Sequence, residues 1–125
     1  MPLIRNIHKA KMEDVAFPGV KGATMAIMVG RGDKAPNFSL RSIEVTPGGN
    51  TPKHSHDYEH EVYVVSGTGE VLLDGKLNEI KAGDVIYVPA NEEHQFTVGD
   101  DSGESLRFLC VVPVEQNCGG AVPGS

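Results

Sequence analysis

The stretch of sequence that decides the fold and the site reads His54-Ser55-His56-Asp57-Tyr58-Glu59-His60-Glu61. It holds three of the five histidines of the chain, and His94 is a fourth candidate further along. Neutral imidazole is the commonest protein ligand for a transition metal, and few other roles require so many histidines close together. The stretch therefore predicts a metal site.

The spacing of these histidines suits a β-strand. Side chains alternate between the two faces of a strand, so His54, His56 and His60 would share one face if the segment is extended without a bulge. Glu61 would then face the other way. His94 begins a separate predicted strand and would approach from another part of a closed sheet. Imidazoles arranged in this way leave positions on an octahedral ion for a substrate, with or without dioxygen.

The composition limits the size and the partners of the protein. A chain of 125 residues, 39% of them hydrophobic, can bury one core, so we expect a single domain. The net charge of -6 argues against nucleic acid and anionic membranes as partners, because neither half of the chain carries a basic stripe. A small-molecule substrate is the expected partner.

The N-terminal residues and the cysteines indicate the compartment. The first residues carry scattered charges instead of the apolar core of a signal peptide, and no apolar run is long enough to span a membrane. We therefore predict a cytoplasmic protein. The two cysteines, Cys110 and Cys118, are too few for a secreted disulfide framework and are expected to be free thiols.

The rest of the sequence predicts an all-β fold. After residue 30 no long window shows the apolar period of a helix, whereas short β-branched runs alternate with turn residues. The Asp74-Gly75 pair predicts a tight hairpin, because both residues accept positive φ. The spacing of the runs fits a sandwich or a small barrel. The predicted strands cover residues 24–29, 38–45, 52–56, 59–66, 70–73, 76–80, 84–88, 94–98 and 106–112.

The chain divides into three parts on this pattern. We expect an N-terminal arm over residues 1–22, a barrel over residues 23–113 and a flexible C-terminal tail over residues 114–125. The arm is compatible with a helical turn or with an extended segment, and both remain open. The tail is rich in glycine, so we expect it to be poorly ordered beyond the last strand.

Two linked motifs resemble those of the cupin superfamily. The residues that match them are Gly48, His54, His56, Gly67, Gly83, Pro89 and His94. The resemblance covers the central part of the chain, from residue 48 to residue 98. It implies a single-domain cupin β-barrel of the small cupin-2 type, which is a double-stranded β-helix or jelly roll.

Two departures from the family pattern matter for the site. Six residues lie between His60 and Gly67, so both the spacing and the strand parity favour His60 as the third ligand, where the family usually has glutamate. A bulge at Asp57-Tyr58 would reverse the parity and bring Glu61 inward instead. Asn91 stands where the pattern has glycine, and asparagine tolerates positive φ better than most residues.

The predicted site is therefore a four-histidine variant of the cupin metal centre. It would hold one divalent transition metal ion per chain, with Mn, Fe, Ni, Cu or Zn as the candidates. The predicted ligands are His54, His56, His60 and His94.

An apolar pocket is expected around the metal. Strand parity places Val62 and Phe96 beside the histidines. The resemblance implies that Phe108 and Cys110 also line the pocket, because in small four-histidine cupins the last strand closes over the metal. Cys110 has three interpretations, which are a buried hydrophobic side chain, a thiol that lines the pocket, and a fifth ligand.

Two further pocket candidates have alternatives. Tyr58 either packs against its neighbours or donates a hydrogen bond at the mouth of the pocket. Arg41 either holds a substrate carboxylate or lies on a solvated face. The solvated face is favoured, because a buried arginine needs a partner that the sequence does not name.

These features predict a metal-dependent oxidoreductase of the dioxygenase type that acts on a small oxygen-rich substrate. Four neutral ligands leave the ion its full positive charge, which favours an anionic enolate, diketone or carboxylate. The alternatives are a non-redox lyase, isomerase or hydrolase acting on a sugar acid, and a cupin that binds a small ligand without catalysis. The resemblance also implies a homodimer, since small cupins usually pair through outer strands or N-terminal arms.

Overall fold

The computed structural model describes residues 2–115 and consists almost entirely of β-strands. The one helical element in this range is a 3-10 turn at Arg31–Asp33. The all-β prediction is confirmed. The strands are β1 (Glu13–Asp14), β2 (Lys21–Val29), β3 (Phe38–Asn50), β4 (His60–Ser66), β5 (Thr68–Leu73), β6 (Lys76–Lys81), β7 (Val85–Val88), β8 (Gln95–Thr97) and β9 (Leu106–Pro113).

The strands form an antiparallel sheet that curls on itself. Its main path runs β6-β5-β8-β3-β9-β4-β7, while β2 pairs with β3 and β1 pairs with β2. The long strand β3 serves both halves: its first part pairs with β2 and β9, and Asn50 at its end pairs with Thr97 of β8. This arrangement confirms the predicted jelly-roll architecture.

The interior is built by alternation along the strands. Every second residue of β9 from Leu106 to Val112 is buried, and His60 of β4 shares its inward direction with Val62 and Val64. The buried apolar side chains form a hydrophobic cluster that fills the curl of the sheet. Buried polar groups are the exceptions to such an interior, and they mark positions where a site can form.

The turns use residues that accept positive φ. Asp74 and Gly75 have φ of 53° and 72° and join β5 to β6, which confirms the predicted hairpin. Asn91 adopts a φ of 67° in the loop before β8, where the family pattern has glycine. Gly67 between β4 and β5 has a φ of 84°, and a Cβ atom there would collide with the carbonyl oxygen of Ser105. The position therefore requires glycine on two grounds.

One predicted strand is wrong. Residues 52–56 do not form a strand, and only His54 pairs, in an isolated bridge with His94. Pro52 has no N–H to give to a neighbouring strand, and the chain bends at Asp57 and Tyr58. The segment therefore crosses the end of the barrel as a loop.

The N-terminal segment packs onto the sheet. Within residues 1–22, β1 pairs with β2, and Val15 is buried in the core. Arg5 donates hydrogen bonds to both carboxylate oxygens of Asp33, at 2.7 and 2.9 Å, and to the carbonyl of Met28 at 2.7 Å. The Arg5 guanidinium and the N–H of Gly30 lower the pKa of Asp33 to about 2.

The C-terminal prediction falls largely beyond this range. Of the proposed tail over residues 114–125, Val114 is buried and Glu115 is exposed, and the residues from 116 onward, with Cys118, lie outside the described residues. Across residues 2–115, no helix has the length and apolar character needed to span a membrane.

Candidate metal centre

Three elements bring the histidines to one end of the barrel. His54 and His56 lie on the loop between β3 and β4, His60 is the first residue of β4, and His94 directly precedes β8. The N–H of His54 donates to the carbonyl of His94 at 3.2 Å, and the N–H of His94 donates back at 2.9 Å. This two-way bridge holds the two rings with their centroids 4.8 Å apart.

The structure gathers three histidines into one mutual group. Each of His54, His56 and His94 offers a ring nitrogen, and these nitrogens all lie within 4.8 Å of one another. His60 is not a member of this group, although its Nε2 lies 2.6 Å from Nε2 of His56. The group thus contains three of the four predicted ligands, with the fourth directly beside it.

Backbone carbonyls orient two of the rings. Nδ1 of His56 donates to the carbonyl of Tyr58 at 2.9 Å, and Nδ1 of His94 donates to the carbonyl of Glu92 at 2.8 Å. A carbonyl oxygen can only accept, so the hydrogen of each neutral ring lies on Nδ1 and leaves the lone pair on Nε2. Metal-binding histidines are oriented in this way in proteins. The donor set therefore fits a divalent transition metal.

His60 and Glu61 face opposite sides of the sheet. His60 is 2% exposed, whereas Glu61 lies on the outer face. A hydrogen bond with Glu59, together with burial and the repulsion between the two carboxyl groups, raises the pKa of Glu61 to about 7. The parity argument for His60 therefore agrees with the structure, even though the loop before it is not a strand.

The pocket beside the histidines is apolar and narrow. The free space beside the histidines has room for about one water molecule. Two of its aromatic rings, Phe96 and Phe108, stack with centroids 4.3 Å apart. The residues that line the pocket are Val15, Met25, Ile43, Thr51, Pro52, His54, His60, His94, Phe96, Phe108 and Cys110.

The other pocket candidates lie around this space. Val62 is buried beside Cys110, its partner across β4 and β9, but it is outside the lining. Tyr58 stacks on His56 with ring centroids 3.8 Å apart and an interplanar angle of 2°. Cys110 lines the pocket and places its Sγ 2.8 Å from Nδ1 of His60.

The favoured interpretation of Arg41 is wrong. Its residue is 0% exposed, and it lies on β3 directly opposite Cys110 of β9. Arg41 shares the inward direction of Ile43 and Val45, because they are separated by even numbers of residues along β3. The strand parity that Arg41 shares with Ile43 and Val45 indicates burial, whereas the general preference of arginine for solvent predicts exposure.

Several residues that line the pocket are not among those predicted from the sequence. Val15 and Met25 come from the β1–β2 hairpin, and Phe17 contacts His54 edge-on, with ring centroids 5.9 Å apart. Ile43 and Thr51 come from β3 and the loop after it. The apolar alternation around Ile43 was a usable signal, whereas nothing local shows that the segment around Val15 folds over the site.

Several known proteins are similar to this chain in sequence or in structure. In solved structures, the polyketide cyclase RemF from Streptomyces resistomycificus matches 99% of this chain and 89% of its own, with a TM-score of 0.86 and 33% identity. Among curated proteins, Auxin-binding protein 1 of Arabidopsis thaliana is 31% identical over 90% of this chain. The 1-methylthio-D-xylulose 5-phosphate methylsulfurylase of Rhodospirillum rubrum is 32% identical over 62% of this chain.

These relatives differ in length and in function. This chain spans 59% of the auxin-binding protein and 49% of the methylsulfurylase. Two of the three are named as enzymes and one as a binding protein, so the shared fold does not by itself identify an activity. The model of the cupin domain (Cupin_2) matches residues 41–112, which include all four site histidines and more than half of the chain. With the curled antiparallel sheet and the histidines at its end, this match shows that the chain belongs to the cupin superfamily.

Proposed function

We propose that the protein is a metal-dependent cyclase that closes rings in an oxygen-rich, polyketide-type substrate. The observation that carries this proposal is the likeness to the Streptomyces polyketide cyclase, which extends over nearly the whole of both chains at 33% identity. The auxin-binding protein and the methylsulfurylase match this chain over a smaller part of their own length. The cyclase proposal belongs to the non-redox class of cupin activities.

The proposed ligands are His54, His56 and His94, with His60 as the fourth. The lone pairs on Nε2 of His56 and His94 support this set, as does the 2.6 Å approach of His60 to His56. We propose one divalent ion per chain, drawn from Mn, Fe, Ni, Cu and Zn. Such an ion would act as a Lewis acid and polarise a substrate carbonyl oxygen.

The apolar lining would orient the carbon skeleton and exclude water. Phe96 and Phe108 offer a stacked aromatic surface, and Val15 and Met25 add aliphatic side chains to the lining. In an aldol-type ring closure, a proton leaves the carbon beside one ketone, and that carbon bonds to the carbon of a second carbonyl, whose oxygen takes up a proton. Among the described residues the lining contains no carboxylate, and the proposed ligands give their lone pairs to the metal, so we propose that a water molecule held in the site would accept the first proton.

A dioxygenase-type oxidoreductase is the second candidate. It is supported by the size of the free space, which suits a small molecule such as dioxygen better than a large substrate. The two candidates differ in whether oxygen is consumed.

The deciding experiment supplies a poly-β-ketone chain from a purified polyketide synthase and follows the products by liquid chromatography and mass spectrometry, with and without air. We expect the protein to direct ring closure equally well without oxygen, and His54→Ala to abolish this effect. Glu61→Ala is the matched control, because Glu61 lies on the outer face. Oxygen uptake in proportion to product would favour the dioxygenase. Tight binding of the polyketide with no change in products would indicate a cupin that only binds its ligand.

We also propose that the protein is a homodimer that pairs through the outer face of β4 and β7. Tyr63, Val85 and Tyr87 on this face are 47%, 74% and 57% exposed. Tyr63 pairs with Val85 across the two strands, and β7 is the end of the main sheet path. Exposed apolar patches of this kind are typical of association surfaces.

A further inference from the structure

His60 differs from the other histidines in the group that orients it. Nδ1 of His56 and Nδ1 of His94 face backbone carbonyls, which can only accept a hydrogen. Nδ1 of His60 faces the Sγ atom of Cys110 at 2.8 Å instead. A cysteine sulfur can donate its S–H hydrogen or accept one. The thiol of Cys110 can therefore act as a donor or as an acceptor, whereas the carbonyls can only accept.

The direction of the hydrogen bond between Cys110 and Nδ1 determines whether Nε2 of His60 carries a hydrogen or a lone pair. A neutral imidazole carries one hydrogen, on Nδ1 or on Nε2. If Cys110 donates to Nδ1, the hydrogen of His60 lies on Nε2, which then donates to Nε2 of His56 and cannot bind a metal. If Cys110 accepts, the hydrogen lies on Nδ1, and the Nε2 lone pairs of His60 and His56 face each other, an arrangement that a cation bound between them would stabilise.

The position of Cys110 is fixed by the sheet. Its residue is 1% exposed on the inner face of β9, between Val62 of β4 and Arg41 of β3. His60 is equally constrained as the first residue of β4, which pairs with Val88 of β7. The contact between the two side chains thus joins neighbouring strands of a rigid barrel.

We propose that Cys110 is a positioning residue whose sulfur accepts the Nδ1 hydrogen of His60 and thereby makes His60 the fourth metal ligand. This inference rests on the proposed four-histidine site. Cys110 itself does not bind the metal. Its substitution changes the number of histidines around the metal from four to three.

The test measures the binding of Co²⁺ alone to metal-free protein, by competition with a chelator and by the visible absorption of the bound ion. Cys110→Ala should weaken Co²⁺ binding by about 10- to 100-fold, the usual effect of removing a group that orients a ligand. Its visible spectrum should match that of His60→Ala. Cys110→Ser, which keeps an acceptor, should restore most of the affinity. The double variant Cys110→Ala/His60→Ala should bind no more weakly than His60→Ala.

A packing control separates positioning from stability. Val64→Ala removes buried volume from the same inner face at a position outside the pocket lining, so it should lower the melting temperature and leave Co²⁺ affinity unchanged. A further loss in the double variant, beyond that of His60→Ala, would show that Cys110 acts through packing and would overturn the inference. So would a sulfur-to-cobalt charge-transfer band that Cys110→Ser removes, because Cys110 would then be a ligand.

The two proposals fail in different ways. If His60→Ala weakens Co²⁺ binding and Cys110→Ala does not, the four-histidine site stands and Cys110 is not the positioning residue. If His60→Ala leaves Co²⁺ affinity unchanged, the four-histidine site is wrong and the inference about Cys110 falls with it.

Discussion

At the scale of single residues, the partner of each imidazole matters as much as the imidazole itself. Four histidines lie together, but the hydrogen bonds to Tyr58 and Glu92 decide which nitrogen of His56 and His94 carries a lone pair. These partners lie two residues from the histidine in each case. Local sequence therefore supplies part of the orientation, and it does so through backbone carbonyl groups, which every residue has whatever its side chain.

Glu61 should make the stability of the protein fall as the pH rises from about 4.5 to about 7. Its pKa is raised from 4.5 to about 7, so the folded state favours the protonated carboxyl group that bonds to Glu59. The stabilisation is complete below the ordinary pKa and is lost as the pH rises through the raised pKa. Because the pair lies at the surface of the single chain, we expect no more than about 1 kcal/mol in the monomer.

The substitution Glu61→Gln isolates this contribution. Glutamine keeps a hydrogen-bond donor for Glu59 and does not titrate, so the free energy of unfolding should depend less on pH in the variant than in the parent. Urea unfolding at pH values on both sides of the range measures the difference. Parallel pH profiles for the two proteins would contradict the prediction.

At the scale of elements, the turns determine which strands can meet. The β4–β5 turn at Gly67 and the β6–β7 turn at Gly83 both use a positive φ, at 84° and 95°. They differ in their surroundings. A Cβ atom at Gly67 would collide with the carbonyl oxygen of Ser105, whereas a Cβ atom at Gly83 would meet nothing within 4 Å.

Gly67→Ala should therefore destabilise the fold much more than Gly83→Ala. Backbone strain alone should cost Gly83→Ala about 1–2 kcal/mol. Gly67→Ala adds a collision with backbone that cannot move away cheaply, and we expect a loss of about 3 kcal/mol or more. Urea denaturation measures both. Equal losses would show that the approach to Ser105 is not a constraint.

The β1–β2 hairpin forms part of the lining of the pocket. Val15 and Met25 contribute to the lining, and Arg5 ties the segment before the hairpin to Asp33. Residues outside the 41–112 family match thus take part in the pocket. Differences in this hairpin are a simple way for one barrel to admit different substrates.

At the scale of the whole molecule, a bound metal should contribute to stability because its proposed ligands come from three separate segments. An ion at a free concentration of about 100 times its Kd stabilises the folded state by about 2.7 kcal/mol. For a domain of this size, chelation should lower the melting temperature by about 10 °C. Thermal unfolding with and without a chelator measures the shift. His54→Ala, which lacks one of the proposed ligands, should show little response, and a full response in that variant would place the metal elsewhere.

The association of the molecule should depend on the outer face of β4 and β7. The double substitution Tyr63→Ser/Tyr87→Ser removes the two exposed aromatic side chains of that face and should convert the homodimer to a monomer. Light scattering coupled to size-exclusion chromatography measures the mass. Leu77→Ser is the matched control, because Leu77 is also exposed but lies on β6, at the other end of the sheet path. A monomeric parent protein would refute the proposal.

Much of this molecule was readable from local sequence. The hairpin at Asp74-Gly75, the positive φ of Asn91 and the alternation along β4 and β9 follow from the chemistry of single residues and from the two-residue period of a strand. The crowding of histidines between residues 54 and 60 and the motif around His94 were enough to predict the family and a metal site. These features depend on neighbours in the chain, which a sequence shows directly.

Other features were decided by contacts between distant segments. The bridge between His54 and His94 replaces the predicted strand over residues 52–56, and the burial of Arg41 depends on its position opposite Cys110. The lining around Val15 and the 2.8 Å approach of Cys110 to His60 join residues far apart in the chain. The sequence by itself determined which residues could bind a metal and on which face each strand would bury them. Only the curl of the barrel decided which of them meet and what orients each ring, because those contacts form between segments that no local pattern relates.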